Sequence, residues 1–147
     1  MYLKSLTLKG FKTFADKTTL EFSPQGITCI VGPNGCGKSN IVDSLRFVLG
    51  ELSLKDLRSQ SIEELIFAGT SMRKSISLGE VTADFDNSDS SLPLAYNEVS
   101  VKRRIYRSGE SEFFINRDAV RLKDIRDLFL GTGLGGGSYS IINQGQV

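Results

Sequence analysis

The chain has 147 residues, 39% of them apolar, and 15 glycines; this is ordinary globular usage, which argues against disorder and fits one domain with a buried core. Lys plus Arg (18) nearly balances Asp plus Glu (17), so bulk charge points to neither nucleic acid nor membrane, and any DNA contact has to come from a local patch. Two cysteines and no histidine exclude a disulfide framework, a four-ligand zinc site and Ser-His catalysis. The start, MYLKSLTLKG, alternates instead of forming an apolar block, and no run approaches the ~18 apolar residues of a membrane span, so a soluble cytoplasmic protein is expected.

Leu3, Leu6 and Leu8 predict a first strand ended by Gly10, followed by an aromatic loop, GFKTF. Thr18 to Phe22 alternates again. Ile27 to Gly32, ITCIVG, is a nearly continuous apolar run of strand length; it predicts a strand buried on both faces, as in a mostly parallel sheet, with Cys29 in the core. Ile41, Leu45, Val48 and Leu49 have helical spacing, with Asp43 in an early turn and Gly50 at the stop. From Ile76 to Phe114 the pattern predicts antiparallel hairpins: SISLGEVTADFD, a polar loop NSDSSLP, EVSVKRRIYR, a turn at Ser108 to Glu110, and SEFFIN. LKDIRDLFLG, from Leu122, predicts a helix, and SYSIIN a last strand.

The strongest motif is GPNGCGKS, Gly32 to Ser39, which satisfies G-x-x-x-x-G-K-[ST] between an apolar run and an amphipathic helix. Glycines at 32, 35 and 37 allow backbone conformations that aim successive N–H groups at phosphate oxygens, and the helix N-terminus adds positive potential there. Lys38 is expected to reach the β- and γ-phosphates and the Ser39 hydroxyl to sit on Mg2+, so a nucleoside triphosphate is the expected ligand. Cys36 fills a small variable position in the loop.

A complete enzyme of this type also needs an acidic residue at the end of an apolar strand and a group that orients water. Neither is evident. Asp84 and Asp86 sit in an alternating strand. Gly131 to Gly136 fits the dinucleotide pattern G-x-G-x-x-G but follows a helical segment and opens no helix, so it is expected to be a connector.

In ordered combination, LKGFKTFAD, ITCIVGPNGCGKSNIVDSLRFVLGE, LRSQSIEELIFAG, VRLKDIRDLFLGTGLG and YSIINQGQV resemble the N-terminal half of the ATPase head of SMC (structural maintenance of chromosomes) proteins, closest to the bacterial form. Much the same order holds in the Rad50 and RecN repair ATPases. The resemblance implies an α/β fold of the P-loop, ABC-type ATPase class: the N-terminal lobe over 1–147, a mixed sheet with the Walker A helix and an antiparallel β subdomain. It implies that the coiled coil, the hinge and the C-terminal half lie outside this chain.

Residue by residue, Gly32, Pro33, Asn34, Gly35, Cys36, Gly37, Lys38 and Ser39 match the Walker A motif, with Asn40 just after it. Gln144 matches the Q-loop glutamine that binds Mg2+ beside Ser39 and senses the γ-phosphate; the bland alternative is an ordinary loop amide. Arg58 matches the arginine that reaches toward nucleotide, and Lys12 and Thr13 a loop near the phosphates and base; solvated charges are the alternative for the two cations. Lys38, Gln144 and Arg58 are the expected catalytic set, and ATP and Mg2+ the expected cofactors.

The implied partners are the C-terminal half of the same head, a second head in an ATP-dependent homodimer, a kleisin-type accessory subunit and DNA, at the nucleoid. ATP hydrolysis is expected of the whole protein and not of this chain alone; a non-hydrolysing interaction module is the other class. In VKRRIYR, Lys102, Arg104 and Tyr106 share one face and Arg103 and Ile105 the other. This strand is a candidate DNA contact, or half of its charge is a solvated face.

Overall fold

A computed structural model describes residues 1–134, 140–142, 144 and 145. Six strands form, the longer ones on alternating apolar positions: β1 (Tyr2–Lys9), β2 (Thr18–Glu21), β3 (Leu78–Asp86), β4 (Glu98–Tyr106), β5 (Ser111–Ile115) and β6 (Asp118–Val120). They form one sheet in the order β2-β1-β3-β4-β5-β6, and each neighbouring pair is antiparallel. The predicted hairpins form, with β3 paired to β4 from Leu78↔Tyr106 to Asp86↔Glu98. The Asn87 side-chain amide orders the loop between them by donating to the carbonyls of Leu92, Leu94 and Tyr96. The short β6 carries no alternation long enough to read in advance.

One face of the sheet is apolar and covered. Leu6, Leu8, Val81, Ala83, Phe85, Val99, Val101, Ile105 and Phe113 are buried on it. Two helices pack there, α1 (Lys38–Val48) against β3 and β4, and α2 (Leu122–Leu128) against β5. A Schellman turn stops α1: Glu51 N–H donates to the Arg46 carbonyl and Gly50 N–H to that of Phe47, with Gly50 at φ +99°. The other face is polar and carries Ser5, Thr7, Glu80, Thr82, Asp84, Ser100, Lys102 and Arg104. No described helix is long and apolar enough to cross a membrane.

The run Ile27 to Gly32 does not join the sheet, and this corrects the sequence reading. Residues 27–32 are exposed, Ile27 by 90% and Val31 by 88%, and Cys29 is exposed with them. A continuous apolar run signals burial on both faces, which needs a strand held in a sheet with packed layers above and below it. None of the described strands pairs with it. Half of SYSIIN, residues 138, 139 and 143, lies outside the described residues; its residues 140–142 are not in a strand.

Candidate functional site

The glycine loop leads into α1 with the geometry that its composition foretells. Gly35 (φ +82°) and Gly37 (φ +97°) occupy the left-handed region, and Cys36 N–H closes a turn onto the Pro33 carbonyl at 3.4 Å. Gly37 is the N-cap of α1, makes no side-chain cap, and no acidic residue lies in the first turn. The N-terminus of an 11-residue helix is thus left open at the loop, where its dipole and N–H groups favour an anion. Lys38 arches back over the loop, with its ammonium donating to the carbonyls of Gly32 and Pro33. Ser39 lies beside it, exposed.

Loop residues 10–14 brace this turn. A methyl group on Gly37 would meet the Thr13 Oγ1 and the Phe14 ring, both at 3.1 Å. Gly37→Ala is therefore expected to cost ~1–3 kcal/mol from backbone strain and crowding, lowering the melting temperature and weakening nucleotide binding in a paired calorimetric and fluorescence titration.

One turn further along α1, the Asp43 carboxylate is 2% exposed and gathers two cations. Lys12 Nζ donates to its Oδ2 at 2.7 Å and to the Leu57 carbonyl at 2.5 Å, and the Lys12 side chain is only 8% exposed. Arg58 donates from Nη2 to Oδ2 at 2.6 Å and from Nε to both oxygens at 3.1 Å. Arg58 Nη2 also reaches Asn40 Oδ1 at 3.2 Å, while Asn40 Nδ2 donates to Thr13 Oγ1 at 3.0 Å. The bond to Asp43 holds the Arg58 guanidinium charged, raised above its ordinary pKa. Lys12 (φ +47°) and Arg58 (φ +51°) both hold left-handed backbone that side-chain-bearing residues rarely adopt.

Arginines secure the far end of α1. Arg103, on β4, is 4% exposed and donates to the carbonyls of Phe47 (3.0 Å) and Glu51 (2.7 Å). Its guanidinium lies 4.2 Å from the Phe47 ring centroid and 5.0 Å from that of Phe113. Burial pushes its pKa down to about 10. Arg126 donates to the Gly50 carbonyl, and Arg46 to that of Ile141, three residues before Gln144.

A model of the family described as the RecF/RecN/SMC N terminal domain matches residues 2–139. The chain belongs to this family. It is 55% identical over all of its 147 residues to the chromosome partition protein Smc of Clostridium kluyveri, and spans 12% of that relative's length. Among solved structures, it superposes with a TM-score of 0.95 and 39% identity on a chain from work on ATP-driven dimerisation and DNA-stimulated activation of SMC ATPases, covering 99% of this chain and 88% of that one. It also matches an Smc head bound to the C-winged helix domain of ScpA, with a TM-score of 0.85 and 41% identity over 88% of this chain and 40% of that one. The SMC-head fold and the α/β P-loop class expected from the sequence are therefore those of the molecule.

Within this SMC-family lobe, Gly32 to Ser39 form one loop at the open end of α1, and Lys12, Thr13, Asn40 and Arg58 form one hydrogen-bonded group beside it. The Lys12 ammonium points inward to Asp43. Gln144 is exposed in a turn and makes no hydrogen bond to the loop among the described residues. The residue that sequence reasoning passed over is Asp43. Its signal was a carboxylate three residues after Asn40 on a helix whose other buried positions are Ile41, Ser44, Phe47 and Val48; an acid on such a face needs a cation.

Proposed function

We propose that this chain is the nucleotide-binding lobe of an SMC-type ATPase that works in chromosome partition. The observation that carries the reading is the open N-terminus of α1 facing a left-handed glycine loop, with Lys38 folded over that loop. These donors fit a triphosphate: backbone N–H groups and Lys38 hold its oxygens, and Ser39 offers a hydroxyl to Mg2+. Among the described residues no cluster of three or more acids, cysteines or histidines would hold a metal by itself. Mg2+ would instead be held by the phosphates together with Ser39 and Gln144, where it neutralises phosphate charge. Arg58 and Lys12 flank the same turn as fixed positive charge.

The apolar run at 27–31 supports a second element of the reading. We assign it to contact with the C-terminal half of the head, which would supply the cover on both faces that its composition demands. That half would complete the catalytic set, a second head would dimerise with it on ATP, and a kleisin-type subunit would join the assembly. The test is to mix this chain with a C-terminal half and measure ATP turnover with Mg2+. Turnover that disappears with Lys38→Ala supports the reading, and none at saturating ATP overturns it in favour of a passive nucleotide-binding module.

DNA is the proposed partner of the outer sheet face at Lys102 and Arg104. Both cations approach Glu80, Lys102 at 3.8 Å, so part of their charge is already compensated. The double variant Lys102→Glu/Arg104→Glu is expected to weaken duplex DNA binding and lower its salt slope by ~1 for each phosphate that is no longer neutralised. An unchanged binding constant across a salt series removes this face from the DNA interface.

A further inference from the structure

The Asp43 cluster combines features that a stabilising ion pair does not need. A single buried carboxylate serves two cations, so the group of Lys12, Asp43 and Arg58 keeps one surplus positive charge. A core built for stability alone would do as well with apolar residues, because desolvation offsets most of what a buried pair contributes. The surplus is also not hidden. The Arg58 side chain remains 49% exposed, although Asp43 grips it through Nε and Nη2, and Asn40 in the first turn of α1 accepts from it as well. Two left-handed backbone positions, at Lys12 and Arg58, are held to keep this arrangement.

We propose that Asp43 is the positioning residue of the nucleotide site, holding the Arg58 guanidinium, backed by Lys12, at the first turn of α1 as a preset contact for a phosphoryl oxygen. The inference rests on the nucleotide-binding reading above. Asp43 itself touches no ligand. It acts by fixing the direction of Arg58, whose Nη1 has no partner among the described residues. An arginine free to rotate would have to be ordered on each binding event, and a pre-ordered one contributes more of its charge-assisted bond to affinity.

The experiment is titration of the intact protein with a fluorescent ATP analogue and Mg2+, with melting temperature followed in parallel. Asp43→Asn and Arg58→Ala are each expected to weaken binding about tenfold, as removal of one charge-assisted bond would. Because one acts through the other, the Asp43→Asn/Arg58→Ala double variant is expected to lie within about twofold of either single one. A purely structural carboxylate would lower the melting temperature in both backgrounds and would not give this saturation in affinity. Wild-type affinity in Asp43→Asn, or effects that multiply to about a hundredfold in the double variant, overturns the proposal.

Should Asp43→Asn fail to fold, Lys12→Met/Asp43→Asn removes the buried pair together; the same tenfold weakening supports the proposal and wild-type affinity overturns it. Lys38→Ala separates the two levels. If it binds the analogue as wild type does, the nucleotide reading itself fails; if it abolishes binding while Asp43→Asn does not weaken it, only the role of Asp43 fails.

Discussion

Lys38→Ala is expected to reduce ATP turnover by the assembled head ~10²–10³-fold, the usual effect of deleting one preorganised charged donor at a site of developing phosphate charge. The expectation follows from where the side chain sits. Lys38 is the first residue of α1, immediately after Gly37, and its ammonium already lies over the loop on the carbonyls of Gly32 and Pro33. It needs only to exchange carbonyl oxygens for phosphate oxygens, so its charge acts in a place that the backbone has fixed. The effect on folding is expected to be small. The loop is exposed, and shortening a surface side chain typically changes stability by within ~0.5 kcal/mol. Turnover measured with the C-terminal half present, beside a thermal melt, checks both statements; a large drop in melting temperature would mean that the missing activity reflects a damaged fold.

The opposite balance is expected on β4, where Arg103→Ala should destabilise the protein by about 3 kcal/mol. Three effects add. Two carbonyls at and just beyond the end of α1, those of Phe47 and Glu51, are deprived of their charged donor. The guanidinium no longer stacks between Phe47 and Phe113. A cavity opens under the helix. Burial of the cation, which pushes its pKa down to about 10, offsets part of these contributions and keeps the net figure from being larger. Arg104→Ala, one residue along on the solvent face and paired with Glu80, is the control, and is expected to cost no more than ~1 kcal/mol. Chemical denaturation of both variants measures the contrast. Equal midpoints would contradict the assigned role of Arg103 as the link between the sheet and the nucleotide-loop helix.

The placement of Arg103 shows how far a pattern of two can be read. Alternation separates Arg103 and Ile105 from Lys102, Arg104 and Tyr106, and the faces are those of the molecule. That the arginine belongs to the apolar face depends on α1, whose terminal carbonyls are formed more than fifty residues earlier in sequence and reach β4 only through packing. The same limit explains Asp43. Its two cations come from loops on either side of the helix in sequence, at positions 12 and 58, and no local periodicity connects them.

By itself the sequence determined the glycine loop, the helix that it opens, the stop at Gly50 and the hairpins from Ile76 onward. Each of these depends on neighbours within a few residues: on glycine's freedom at positive φ, on helical spacing and on alternation. Only the tertiary structure decided which charges are buried, that Lys12 turns inward, and that the apolar run at 27–31 stands outside the sheet. Burial is a property of what packs against a residue, and for these residues the packing partners are remote in the chain or, for the apolar run, not among the described strands.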